Sequence, residues 1–224
     1  MGYVFENYKL ILQDINETAL KYGRNVSLLA VSKNQSVEKM DELAYNNVLL
    51  FGESKVQEAL LKIEYLSNKY NDLSFHFIGK VQTNKLKKIV QYFDLIHSVD
   101  RIDVLPLINN YALEYNKKQE ILIQINLANE IQKNGIKEKS LPYFIENALK
   151  YSNIIVKGIM FMPPYEEDVT KNLKYFEKAE LLFNQYKSDI FNTLSMGMSH
   201  DYKEAIRFGS TLVRVGTNIF GKRV

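Results

Sequence analysis

The sequence predicts an α/β fold, a single (β/α)8 TIM-like barrel with an additional N-terminal helix, and three observations predict it. Short apolar strands alternate with amphipathic helical patterns along the whole chain. The strands number eight, the count at which a parallel sheet closes. The first strand runs into Lys33-Asn34-Gln35, not into the glycine-rich turn that an open dinucleotide-binding sheet would carry there. The 224 residues suffice for one barrel, and no composition shift or Pro/Gly-rich linker divides them, so one domain is expected over 1–224.

The opening helix, Tyr3 to Tyr22, follows from apolar residues at Tyr8, Ile11, Leu12, Ile15 and Ala19, with Gly23 as its stop. The first strand is expected at Ser27–Ser32, where Leu28, Leu29, Ala30 and Val31 form the unbroken apolar run of a strand buried on both faces. Strands at Val48–Phe51, Ser74–Ile78, Leu95–Ser98 and Ile121–Asn126 follow, separated by helical patterns near Val37–Tyr45, Val56–Lys69, Thr83–Tyr92 and Ile102–Tyr115. Pro142 fits the first turn of the next helix, Leu141–Tyr151, where its missing N–H costs nothing. After the strand Ile154–Met160, the pair Pro163-Pro164 stiffens a loop before the helix Asn172–Tyr186. Strands at Thr193–Ser195 and Thr211–Val215 flank a helix at Tyr202–Phe208. Only Gly216 to Val224 remain, too few for a full closing helix, so the opening helix is expected to fill that gap in the outer ring.

Composition narrows the function classes. No apolar run approaches the roughly 18 residues of a membrane span, and Glu6 and Lys9 interrupt the N-terminus, so neither signal peptide nor anchor is expected. The absence of cysteine excludes disulfides, thiolate ligands and a cysteine nucleophile, and the cytoplasm is the expected location. A net charge of +3 from 29 basic and 26 acidic residues gives no concentrated phosphate-tracking surface, and the cluster Lys80, Lys85, Lys87, Lys88 reads as a solvated helix face. Nucleic acid is therefore not an expected partner. A metal-dependent enzyme is disfavoured because His76, His97 and His200 read as isolated, with no carboxylate at ligand spacing.

In a barrel the loops after the strands share one face, so residues distant in sequence converge there. Lys33 ends the first strand among apolar neighbours, a setting that disfavours its charged form and frees the amine to attack an aldehyde. After strand eight, Gly216-Thr217-Asn218 offers a glycine, a hydroxyl and backbone N–H groups, and Ser195 and Ser199 bracket a glycine after strand seven. Those two loops are where such barrels bind phosphate. Arg214 ends an apolar strand, either facing the mouth or paired. Together these describe a site for pyridoxal 5′-phosphate: Lys33 as the Schiff-base lysine, Ser195, Gly216 and Thr217 on the phosphate, and Arg214 on the ring nitrogen. A guanidinium does not readily release a proton, so the pyridine stays unprotonated and is a weak electron sink.

The runs AVSK (30–33), FGES-KVQE (51–58), HFIGKVQTNK (76–85), LIHSVD (95–100), ILIQIN (121–126), KNGI (133–136), LSMGMSHDYKEAI (194–206) and LVRVGTNIFG (212–221) resemble the YggS/PROSC family of pyridoxal phosphate homeostasis proteins. The resemblance covers nearly the whole chain. It implies a barrel like the N-terminal domain of alanine racemase, the cofactor on Lys33, its phosphate near Ser195, Gly216 and Thr217, its ring nitrogen on Arg214, and a role as binder and carrier without established turnover. It also implies PLP-dependent apoenzymes as transient recipients, and a monomer is expected. Two positions depart from the family pattern: Ser54 replaces an asparagine that would approach the cofactor, and His200 replaces an aspartate and reads as a surface substitution. Lys133 matches a family lysine, for which the resemblance implies a second or transient cofactor contact and the residue alone an exposed loop charge.

The competing class is a racemase or another PLP-dependent amino-acid enzyme. Two-sided proton transfer needs a base on each face of the substrate, and Lys33 is the one evident candidate, since His76 reads as a structural residue within a strand. The carrier reading is preferred because parts of the racemase are missing.

Overall fold

A computed structural model describes residues 2–130 and 132–221; the remaining positions of the expected 1–224 domain, namely 1, 131 and 222–224, lie outside the described residues. Eight parallel strands close into a barrel in sequence order. They are β1 (Ser27–Val31), β2 (Leu50–Glu53), β3 (Ser74–Phe77), β4 (Leu95–Val99), β5 (Gln119–Ile125), β6 (Ile154–Phe161), β7 (Thr193–Met198) and β8 (Leu212–Val215). Around them lie α1 (Tyr3–Lys21), α2 (Val37–Tyr45), α3 (Val56–Ser67), α4 (Leu86–Tyr92), α5 (Leu105–Glu114), α6 (Leu141–Ala148), α7 (Leu173–Tyr186), α8 (Tyr202–Arg207) and α9 (Thr217–Phe220). β1 pairs with β8 through Leu29↔Arg214 and Ala30↔Val215, which brings the two ends of the sequence side by side.

Local chemistry sets the helix ends. Gly23 and Asn47 take φ values of 62° and 61°, and the residue after each donates back, Arg24 N to Ala19 O at 2.9 Å and Val48 N to Leu43 O at 3.0 Å. Such a cap satisfies carbonyls that the helix leaves over. The second cap also moves a boundary. Val48 belongs to the end of α2, so β2 starts at Leu50, later than the apolar run suggests, and continues to Glu53 opposite Phe77.

Alternate residues along each strand face the helices or the barrel interior. Leu28, Ala30, Phe51, Phe75, Phe77, Ile121, Ile123, Phe161, Val213 and Val215 belong to the main core between sheet and helices. The opposite set faces inward. There Leu95, Leu122 and Met160 form a separate small cluster, and the buried polar residues His76, His97, Gln124, Ser195 and Arg214 share the interior with them. Barrels of this type ordinarily fill that space with branched aliphatic side chains.

α1 closes the outer ring as expected, packing against α2, α8 and the short α9. Asn7 Nδ2 donates to Ile219 O at 3.1 Å, Phe5 N donates to Glu42 Oε1 at 2.7 Å, and the Tyr202 hydroxyl donates to the Asp14 carboxylate. Among the described residues no helix is long and apolar enough to cross a membrane. If the Tyr202–Asp14 bond docks α1, Tyr202→Phe should lower stability by about 1–2 kcal/mol. Urea unfolding midpoints measure this, and an unchanged midpoint would mean that α1 is held by apolar contact alone.

Candidate functional site

β1 ends at Val31, and Lys33 continues the inward-facing set of Leu29 and Val31 while Ser32 continues the outward one. Lys33 is half-buried and lines a cavity of about 270 Å³ at the carboxyl end of the barrel, near the lower end of the roughly 300–1,000 Å³ usual for small-molecule sites. The cavity also draws on Arg214, Gly216, Thr217 and Ser199, on the apolar Ile78, Met160, Met162 and Met198, and on Tyr165 and His200.

The turn carrying Lys33 is clamped from behind the sheet. Glu53, fully buried on the outer side of β2, accepts from Ser32 Oγ at 2.8 Å and from Lys62 Nζ of α3 at 2.9 Å. Lys62 Nζ also donates to Ser32 O at 2.9 Å and pairs with Glu58 at 2.5 Å. Glu58 in turn accepts from Asn34 N at 2.6 Å, and Lys55 Nζ donates to Asn34 Oδ1 at 2.8 Å. Both neighbours of Lys33 in sequence are thus tied to α3 or its entry. Burial holds the Glu53 carboxyl above its usual range, with Lys62 and the Ser32 hydroxyl opposing that rise, and Glu53 Oε2 has no hydrogen-bond partner.

Arg214 enters from β8 with 4% of its surface exposed. Its Nη1 donates to Ser195 Oγ at 2.6 Å and its Nη2 to Phe161 O at 3.1 Å. Burial pushes its pKa down to about 10, with the Asp201 charge opposing, so it stays protonated at neutral pH. Within α9 the helical bonding starts at Ile219 N and Phe220 N, both donating to Gly216 O at 2.9 Å, which leaves the amides of Thr217 and Asn218 at the helix entrance.

Four of the five residues read from the sequence, Lys33, Arg214, Gly216 and Thr217, line this one cavity; Ser195 does not. β7 runs to Met198, three residues beyond the expected end at Ser195, because Gly197 takes φ 91° and lets the strand bulge between the pairs Ser195↔Leu212 and Met198↔Arg214. Ser195 is therefore a fully buried strand residue beneath Arg214, and Ser199 is the serine that faces the cavity.

Two of the histidines also depart from expectation. His76 and His97 are not isolated: His97 Nε2 lies 3.0 Å from His76 Nδ1, and His97 Nδ1 lies 3.1 Å from Ser195 Oγ. Two histidines on adjacent strands with the same inward parity were the signal for this pair. His200 is exposed, as expected of a surface position. It lines the cavity, stacks on Tyr165 at 6.3 Å and reaches Glu166 O at 3.2 Å. Lys133 lies outside the cavity lining, held by Glu130 at 2.6 Å and donating to Pro163 O at 2.9 Å, and Ser54 lines a different cavity beside Lys55, Lys80 and Lys85. Among the described residues no group of three or more His, Cys, Asp or Glu side chains is placed to hold a metal ion. A larger cavity of about 520 Å³ opens on the opposite face, among Ser27, Thr193 and Thr211, and gathers none of the residues read from the sequence.

The alanine racemase N-terminal domain family matches residues 9–224. The pyridoxal phosphate homeostasis protein of Buchnera aphidicola (subsp. Schizaphis graminum) is 36% identical over 100% of both chains, and that of Aquifex aeolicus is 36% identical over 97% of each. PipY of Synechococcus elongatus, solved with PLP bound, superposes with a TM-score of 0.85 at 29% identity over 97% of this chain and 100% of PipY. An alanine racemase of Clostridium difficile shares the fold alone, with a TM-score of 0.75 at 15% identity over 97% of this chain and 57% of that enzyme.

The clamp behind Lys33 yields a pH-dependent expectation. A raised native pKa means the folded state binds the Glu53 proton more tightly than the unfolded chain, so this group's contribution to stability falls as pH climbs from the unfolded value through the native one. Removing Lys62 widens that interval. Lys62→Met should therefore cost about 3–5 kcal/mol at neutral pH and less near about pH 5. Urea unfolding at the two pH values is the check; an equal loss at both would mean that Glu53 is not the charge left uncompensated.

Proposed function

The chain belongs to the alanine racemase N-terminal domain family and, within it, to the pyridoxal phosphate homeostasis proteins, and on that premise we propose that it holds pyridoxal 5′-phosphate on Lys33 as a carrier. One observation carries the reading: Lys33 and the pair Gly216-Thr217, from opposite ends of the sequence, line the same small cavity with Arg214. The cofactor would supply an aldehyde, and Lys33 the amine that would react with it.

The residues present fit that group. In this reading the amides of Thr217 and Asn218, with the hydroxyls of Thr217 and Ser199, hold the phosphate. Ser195 has no part in that contact, since its hydroxyl is already shared by Arg214 and His97. Arg214 presents its unspent N–H groups to the ring nitrogen. A guanidinium donates there and does not surrender its proton, so the ring is not primed to withdraw electrons, which suits holding more than turnover. Ile78, Met160, Met162 and Met198 supply the apolar part of the wall around the lysine. The clamp through Ser32 and Asn34 fixes the turn from which Lys33 reaches inward.

The proposal includes a single domain working as a monomer in the cytoplasm, with PLP-dependent apoenzymes as recipients. Borohydride treatment of the PLP-loaded protein should fix the cofactor on the Lys33 peptide and leave Lys33→Ala unlabelled; full labelling of that variant would remove the assignment. Incubation with L-amino acids separates a carrier from a racemase. No sustained change in chirality is expected, and racemisation at enzyme-like rates, on the order of 1 s⁻¹ or faster, would replace the carrier by an enzyme.

A further inference from the structure

Beneath the proposed cofactor contact, four buried side chains form a line inside the barrel: Arg214, Ser195, His97 and His76, spaced 2.6, 3.1 and 3.0 Å apart. We propose that Ser195, His97 and His76 are positioning residues, a proton-ordered chain of hydrogen bonds that holds the Arg214 guanidinium in place for the ring nitrogen. The inference rests on the reading above, in which Arg214 faces that nitrogen.

The order of the protons follows from what each group can do. A guanidinium only donates, so Ser195 Oγ accepts from Arg214. Ser195 is fully buried, and His97 Nδ1 is the one acceptor recorded for its hydroxyl among the described residues. The serine therefore donates to His97; the reverse direction would leave a buried O–H without an acceptor, which costs more than the bond itself contributes. With Nδ1 accepting, His97 carries its proton on Nε2 and donates it to His76 Nδ1. His76 in turn holds its proton on Nε2.

Both rings are neutral in this arrangement. Burial agrees, pushing the pKa of His76 down to about 4 and that of His97 well below its ordinary value, where His76 and Arg214 also disfavour a charge.

The consequence for Arg214 is geometric. A serine hydroxyl is a rotor, and its proton can swing toward the cation and weaken the bond. Committed to His97, that proton points away, and only lone pairs face the guanidinium. Phe161 O holds the other arm at 3.1 Å, so the two contacts fix the plane of the fork. The remaining donors are left aimed at the cavity that Arg214 lines.

The experiment has two arms. In the first, the cofactor-free protein is labelled with ¹⁵N-histidine, and long-range correlations at neutral pH should show His97 and His76 as neutral Nε2–H tautomers. A protonated ring, or a proton on Nδ1 of either, overturns the chain. In the second, Ser195→Ala, His97→Leu and His97→Gln are loaded with pyridoxal phosphate after melting curves establish that each is folded. Ser195→Ala and His97→Leu should displace the cofactor's absorption band and weaken binding about tenfold or more, the scale of one hydrogen bond to a charged group. His97→Gln, whose carbonyl accepts from Ser195 while its amide donates to His76, should restore the wild-type band. Should His97→Leu fail to fold, Ser195→Ala against His97→Gln decides the matter. Folded variants with the wild-type band and affinity overturn the positioning role while leaving cofactor binding intact. A wild-type protein that takes up no cofactor overturns the underlying reading, and with it this one.

Discussion

Arg214 donates to Ser195 Oγ and to Phe161 O from inside a closed barrel, and no carboxylate among the described residues lies within salt-bridge distance of it. A buried cation with no carboxylate in direct contact, Asp201 acting on it only from a distance, is costly unless its hydrogen-bonding needs are met. That constraint accounts for the polar residues in an interior that such barrels ordinarily fill with aliphatic side chains. Ser195 is there to accept and His97 to orient Ser195. The small apolar set Leu95, Leu122 and Met160 fills what remains.

The two faces of the sheet divide the work. Inward-facing positions present Lys33 and Arg214 to one cavity, whereas outward-facing positions on the same strands hold Ser32 and Glu53 against Lys62. The clamp and the site are separated by one residue of strand alternation, and neither intrudes on the other. A lysine at the end of a rigid strand, on a turn tied to α3, meets its partner with little orientation left to be lost on binding.

The closing pair β1–β8 turns this local arrangement into a site. Lys33 comes from the first βα unit, and Arg214, Gly216 and Thr217 come from the last. An open sheet with the same elements would leave them at opposite edges. The mouth itself stays accessible, with Tyr165 and His200 stacked across its rim from the loops after β6 and β7.

By itself the sequence determined the eight strands, the order of helices between them, the opening helix in the outer ring, and the position of Lys33 and Arg214 at strand ends. Those features rest on local periodicity, which alternation of apolar residues makes readable. The quoted runs, such as AVSK at 30–33 and LVRVGTNIFG at 212–221, carried the cofactor as well. The tertiary structure alone decided that Ser195 lies beneath Arg214 and Ser199 faces the cavity, that His76 and His97 touch, and that His200 reaches the mouth. Each of these depends on register between neighbouring strands, and at β7 on a bulge at Gly197 that shifts every later residue by one position. Periodicity within a strand carries no information about that offset, because it is set by which residue of the next strand lies opposite.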